Sequence, residues 1–285
     1  MTGPFPADPV PADPFPADPF PTAAFASWLA LREPADAAAR APELAERVRG
    51  LLAGRSGSQV HDLGSGTGSM ARWLAPRIPG PQHWILYDRD PGLLARARTG
   101  MPAAVTAETR VRDITRLTSD DLGEAALITA SALLDMFTAE EIERIAGACA
   151  GAGCPVLFTL SVTGHVELTP PDPLDPRIAE AFDAHQRRTT ADGRTLLGPD
   201  AAAFTAEALR GRGLRVWERP SPWRLGPGEA ALTAEWFRGW VGAAAEQDPG
   251  LAGPAEAYTA RRLAEAAAGR LGVVVAHTDL LAAVE

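Results

Sequence analysis

From Ser58 to about residue 163, short and nearly continuous apolar runs alternate with amphipathic stretches. The runs are SQVHDLG from Ser58, HWILYDR from His83, AVTAETRVRDI from Ala104, AALITASALL from Ala125 and CPVLFTLSV from Cys154. Strands that are apolar throughout are buried on both faces, so the pattern predicts a parallel sheet covered by helices. One intervening helix is marked at its start, because Thr138 and Glu141 form a Thr-x-x-Glu capping box ahead of Ile142, Ile145 and Cys149. Upstream, residues 22–57 predict an N-terminal helical cap. Leu44, Val48, Leu51 and Leu52 recur at helical spacing, Gly54 is a stop signal, and Pro34 and Pro42 divide the stretch into two or three pieces. Downstream, helices are expected from Asp175 to Arg188 and from Pro199 to about Arg210. A strand LRVWERP, two helices within residues 226–268 and a closing strand GVVVAHTDLL follow. The expected fold is α/β, a mostly parallel seven-stranded sheet with helices on both faces, filling one domain over residues 22–285. Residues 164–198 and 226–268 are too long for simple connections and are expected as helical insertions that cover a substrate. Residues 1–21 carry the repeat FPADPVPADPFPADPFP, whose prolines forbid helix and ladder hydrogen bonds. They read as a disordered leader or, alternatively, a polyproline-type docking tail.

Composition narrows the function. A net charge of −9 argues against a phosphate-backbone partner, and no nucleic acid is expected. The basic segments RGRGLR and YTARRL, from Arg210 and Tyr258, read as solvated helix ends. The two cysteines, Cys149 and Cys154, show no disulfide or metal-ligand spacing and read as core thiols. No run approaches the roughly 18 apolar residues of a membrane span, and no signal-peptide pattern is present. A cytoplasmic protein with no membrane partner is therefore expected, and a homodimer is compatible with the chain. Abundant alanine, arginine and proline suggest a GC-rich bacterial genome.

The chemistry centres on VHDLGSGTGSM, Val60 to Met70. A strand ends in an acid, three glycines alternate with small polar residues, and a helix begins. No lysine follows the loop, which argues against a triphosphate-binding loop. Gly64 and Gly66 fit a dinucleotide fingerprint, but its third glycine would fall on Ser69. Asp62, two residues before the first glycine, would repel a pyrophosphate and attract an ammonium group. Asp88 ends the second strand, where carboxylates hydrogen-bond ribose hydroxyls. Asp113 ends the third, where it can accept from an adenine amino group while Ile114 packs the ring. Three acids at three successive strand ends suit a ligand with ammonium, ribose and adenine and little negative charge, such as S-adenosylmethionine.

These segments resemble the class I S-adenosylmethionine-dependent methyltransferases. VHDLGSGTGS is similar to that family's first motif, ILYDRD to its second-strand motif, RDI to its adenine motif and ITASALLDM to its fourth-strand segment. The resemblance implies a Rossmann-like methyltransferase fold with S-adenosyl-L-methionine as cofactor. It places Asp62, Gly64, Ser65, Gly66, Thr67 and Gly68 at the methionine moiety and Asp88 at the ribose, with Arg89 also among the cofactor-binding residues. Asp113 and Ile114 would lie at the adenine, with Ser131, Ala132 and Leu133 beside the sulfonium. Segments AHQR, LGP and HTD, from Ala184, Leu197 and His277, are also similar to a group of bacterial methyltransferases.

The acceptor is expected to be a small molecule, methylated on oxygen or nitrogen, in specialised metabolism. The Asn/Asp-Pro-Pro-aromatic platform used on adenine or glutamine nitrogens is replaced by SALLDMF, and no acidic cluster has metal-ligand spacing, so no metal is expected. Alternatives are methylation of RNA or protein, and a non-catalytic S-adenosylmethionine-binding protein. Two of the five histidines are candidate general bases. His185 shares a helical face with Ile178 and Phe182, and His277 ends the last strand near Asp279. Arg187, Arg188 and Arg194 could pair with an acidic substrate or form a solvated face. Trp223, Trp236, Phe237 and Trp240 suit core packing or an aromatic wall for a flat acceptor. Trp28 in the N-terminal helix suits a lid over the cofactor, and Arg32 or Arg40 is a candidate contact for the cofactor carboxylate.

Overall fold

In the computed structural model, which describes residues 22–284, helices α1 (Thr22–Ala39) and α2 (Pro42–Leu51) lead into β1 (Ser58–Leu63). The alternation then runs α3 (Ser69–Leu74), β2 (Gln82–Asp88), α4 (Pro91–Thr99), β3 (Val105–Val111), α5 (Ser119–Leu122), β4 (Leu127–Ser131), α6 (Ala139–Gly151) and β5 (Val156–Thr169). After it come α7 (Asp175–Gln186), α8 (Ala201–Arg210), β6 (Arg215–Pro220), β7 (Trp223–Leu225), α9 (Ala230–Gln247), α10 (Ala252–Ala267) and β8 (Gly272–Ala283). The proline-rich leader lies outside the described residues.

The sheet has the order β3-β2-β1-β4-β5-β8-β6, with the short β7 also paired to β8. Strands β1 to β5 pair in parallel, and β8 runs antiparallel to β5, β6 and β7. The expected seven-strand path is thus present, with one short strand added. Alternate residues sort to opposite faces, because strand side chains have a period of two. Ile85 and Tyr87 pack with α6 and α8 through Ile142, Ile145 and Leu209. Trp84 and Leu86 pack with α2, α3 and α4 through Leu44, Val48, Leu74 and Leu94. A third cluster, built on Ile178, Phe237, Trp240 and Tyr258, joins α7, α9 and α10 to β7 and to Val273 and Val275 of β8.

Two expectations change in detail. Pro34 does not divide the N-terminal cap; it sits inside α1, and the break falls just before Pro42. Helix α1 is held at Glu33 and Asp36 by bonds to other elements, which offset the backbone bond that Pro34 removes. The first insertion begins later than residue 164, because β5 continues to Thr169 past register shifts between Phe158 and Ser161 and between Val162 and Val166. Such bulges bend a strand without ending it. Trp223 lies in a strand of its own, with its indole N–H donating to Asp36 (2.9 Å). No helix among the described residues is long and apolar enough to cross a membrane.

Candidate functional site

A cavity of about 620 Å³ lies at the carboxyl ends of β1, β2 and β4, where open parallel sheets hold their ligands. Of the residues singled out for a cofactor, Asp62, Gly64, Ser65, Gly66, Thr67, Asp88, Arg89, Asp113, Ile114, Ser131 and Ala132 line it. Gly68 is not among the lining residues. It starts α3 with φ +83°, and a Cβ there would lie 3.3 Å from the Cβ of Ala97, so its lack of a side chain lets loop and α4 approach. Gly64 is different: its φ is +64°, and a Cβ would meet Leu133 Cδ2 at 2.6 Å, closing the loop onto the β4 turn. Ala132, a non-glycine residue at φ +53°, holds the other side of that contact, and such conformations concentrate at functional sites.

The acids are positioned by local bonds. Asp88 accepts from the backbone N–H of Gly66 at 2.8 Å and of Asp90 at 3.0 Å, tying the glycine loop to β2, and burial raises its pKa. Asp113 caps the following turn, accepting from the Thr115 N–H (3.0 Å) and hydroxyl (2.7 Å) and pairing with Arg116 at 3.1 Å. Asp62 is 1% exposed. Its Oδ1 accepts from Thr129 Oγ1 at 2.7 Å, and its Oδ2 has no partner among the described residues. Burial pushes this carboxyl up to about 7, although the Thr129 bond and the charge of Arg40 oppose the shift. The Ser65 hydroxyl is likewise buried without a partner.

Helix α1 roofs the cavity with Phe25, Leu29, Arg32 and Asp36, facing Leu133, Met136 and Phe137 from the turn after β4. Sequence reasoning missed Phe25, Leu29 and Met136; the periodicity of α1 carried the signal, since residues 25, 29, 32 and 36 share one helix face. Arg32 pairs with Asp36 at 3.0 Å, and its guanidinium lies 5.0 Å from the Trp223 ring centre and 5.8 Å from that of Trp28. Beside Met136, burial raises the Asp135 carboxyl, which accepts from Gln186 Nε2 at 3.4 Å. Of the three insertion arginines, Arg194 lines the cavity and pairs with Glu141 (2.7 Å), whereas Arg187 pairs with Asp200 (2.6 Å) and Arg188 bonds the His185 carbonyl.

Neither candidate histidine reaches the cavity. His185 points from α7 toward α9, with Nε2 3.3 Å from Glu246 Oε2. His277 is 5% exposed, its Nδ1 donates to the Val275 carbonyl at 2.9 Å, and its ring packs against Trp223. Burial, with the nearby charge of Arg32, pushes its pKa down to about 3. Trp236 and Trp240 stack on each other in the third core cluster, away from the cavity.

Residues 60–152, which contain the glycine loop and all three acid positions, match the family model described as a methyltransferase domain. This segment, about a third of the chain, is a methyltransferase domain. Comparison with curated proteins gives no match. Among solved structures the chain is similar to an O-methyltransferase family protein from Burkholderia thailandensis (17% identity, TM-score 0.46), over 90% of this chain and 59% of that one. It is also similar to a cyclopropane synthase from Mycobacterium tuberculosis (11% identity, TM-score 0.45, 85% of this chain and 83% of that one). A third is an S-adenosylmethionine-dependent methyltransferase from Geobacter sulfurreducens in complex with S-adenosyl-L-homocysteine (15% identity, TM-score 0.40, 87% and 92%). The methyltransferase domain fits its cofactor on physical grounds as well. Its cavity offers a carboxylate oxygen and a hydroxyl, both buried and without a partner among the described residues.

Proposed function

We propose that the protein transfers a methyl group from S-adenosylmethionine to an oxygen or nitrogen of a small molecule. The observation that carries this reading is the roofed cavity, in which Asp62, Asp88 and the glycine loop share one space of about 620 Å³ with Phe25, Leu29, Leu133, Met136 and Phe137. A cavity of that volume, with apolar side chains beside a few polar groups, has the character of a small-molecule site. A net charge of −9 favours it over an RNA acceptor. In this reading Asp62 takes the ammonium, Asp88 with Arg89 the ribose, Asp113 with Ile114 the adenine, and Ser131 and Ala132 flank the sulfonium. The bound cofactor supplies a methyl carbon already activated by positive sulfur. The chain's own task is then placement: α1 and the β4 turn exclude water and hold the acceptor in line, which can lower a barrier by about 7–11 kcal/mol. His185 and His277, as they lie here, take no part in it.

Calorimetric titration of the full chain with S-adenosylmethionine, S-adenosylhomocysteine and NAD tests the reading. Micromolar binding of the first two is expected, with at least about tenfold loss in Asp88→Ala, since that change removes a charged acceptor and frees the Gly66 N–H. Binding of NAD alone would overturn it.

A further inference from the structure

Arg32 lines the cavity from α1, with 14% of its side chain exposed. Its Nε and Nη2 donate to Asp36, while Nη1 donates to no atom among the described residues and is not sealed from solvent. A guanidinium is a rigid fork of five N–H donors, so one limb of this fork stands open. Its flat face rests on Trp28 and Trp223, which fix its direction and limit its hydration. The other arginine of the cap, Arg40, is 2% exposed, is held by the hydroxyls of Thr159, Ser131 and Ser69, and does not line the cavity.

The place of Arg32 along the sheet decides what it can meet. In the S-adenosylmethionine reading, Asp62, Asp88 and Asp113 mark the track of the cofactor over β1, β2 and β3. Arg32 belongs to the opposite side. Trp223, which it covers, is in β7 and pairs with β8, and its charge reaches Asp135 in the turn after β4 and His277 on β8. It therefore addresses the space beyond Ser131 and Leu133, where a methyl acceptor stands, rather than the nucleoside.

This space is short of a base. No histidine lines the cavity, and its acids other than Asp62 are each engaged by an arginine, an indole, a hydroxyl or backbone N–H groups. Asp135 lies outside the lining and is bonded to Gln186. A neutral hydroxyl or an ammonium must give up a proton on methylation, whereas a carboxylate has none to lose. The nearby walls, Leu133, Met136 and Phe137, suit an apolar body.

We infer that Arg32 binds the carboxylate of the methyl acceptor, a small monocarboxylic acid with an apolar body, and that the product is its methyl ester. The inference rests on the S-adenosylmethionine reading and deepens it by naming the acceptor class. One carboxylate oxygen accepts from Nη1 while the other forms the new bond to the methyl carbon. The sulfur–methyl bond breaks with its electron pair left on sulfur, and no proton moves. An anion and a sulfonium become a neutral ester and a neutral thioether, a change that a cavity shielded from water favours over bulk solvent.

Phenylacetate, phenylacetamide and 2-phenylethylamine share one body and differ in charge, and each is titrated into the full chain saturated with S-adenosylhomocysteine. Phenylacetate is expected to bind at least about tenfold more tightly than the other two, as for one charge-assisted hydrogen bond. In Arg32→Gln that preference falls below about threefold, the affinity for S-adenosylhomocysteine alone changes by less than about threefold, and Arg32→Lys keeps part of the preference. With S-adenosylmethionine labelled in its methyl group, phenylacetate should take up label that mild alkali releases. No preference for the acid in the wild-type chain, no such label, or label on the amine instead overturns the assignment and leaves the cofactor reading intact. Loss of S-adenosylhomocysteine affinity in Arg32→Gln equal to the loss for phenylacetate also overturns it, because Arg32 would then serve the cofactor. Should Arg32→Gln fail to fold, the wild-type preference and Arg32→Lys decide. Failure of the wild-type chain to bind S-adenosylhomocysteine at all overturns both readings.

Discussion

Burial lifts the Asp62 carboxyl to about 7, so at neutral pH the empty site holds a proton on it for about half the time. An ammonium bound there favours the carboxylate, so the complex carries fewer protons than the free protein. Affinity therefore rises with pH below about 7 and levels off above it. From the fraction ionised, S-adenosylhomocysteine should bind about tenfold more weakly at pH 6 than at pH 8, and binding at pH 6 should release close to one proton. Calorimetry in two buffers of different ionisation heat measures that release, and Asp62→Asn should abolish it; an unchanged release in the variant would assign the proton elsewhere. At this scale the sequence was informative where chemistry is local. Asp62 and Asp88 stand at or next to the last residue of their strands, Asp113 stands two residues past the end of β3, and all three line one cavity. The histidines were not legible in the same way. Whether a side chain on β8 or α7 turns toward the cavity depends on which element packs over it, and Trp223 and α9 fill that space.

Helix α1 is a roof fixed by a few side chains. Thr22 donates to Asp90 at 2.7 Å, Glu33 takes both Arg72 Nε and Nη2 at 2.6 Å, and Asp36 accepts from the Trp223 indole at 2.9 Å. Arg72 also donates to the Thr67 carbonyl, so the middle latch runs from roof to glycine loop. Leu29 reaches down to where a Cβ on Gly66 would be 3.1 Å away, so a ligand in the loop lies beneath the helix. Release then requires α1 to lift. The Glu33–Arg72 pair is about a quarter exposed, which limits its worth to about 1 kcal/mol despite its bidentate form. Glu33→Ala should therefore speed S-adenosylhomocysteine release about threefold to fivefold in stopped-flow displacement. An unchanged dissociation rate would mean that ligands leave without moving the helix. Proline patterning read this element only in part. Pro42 begins α2 as a first-turn proline should, but Pro34 lies within α1, because propensity yields where tertiary bonds hold both flanks.

Across the whole molecule the sheet order and the reversed β8 join parts distant in sequence. Local patterning shows that strands exist but not which ones pair. The clearest case is Asp279, which the sequence suggested only as a neighbour of His277. It is fully buried, and its two oxygens accept from the Leu160 N–H and the Ala41 N–H, each at 2.8 Å. One carboxyl thus ties β8 to the β5 bulge, where Leu160 sits at φ +58°, and to the corner that carries Arg40. Asp279→Ala would leave two buried N–H donors unmatched, at about 1–3 kcal/mol each. A loss of about 4 kcal/mol corresponds to a drop of roughly 8–16 °C in melting temperature for a chain of this size. Asp279→Asn discriminates further. Its amide keeps one acceptor oxygen but turns an NH2 toward the second N–H, so it should melt much closer to the alanine variant than to the wild type. A near-wild-type melting temperature for Asp279→Asn in scanning calorimetry would show that one acceptor suffices, and that the corner holding Arg40 is secured by packing instead.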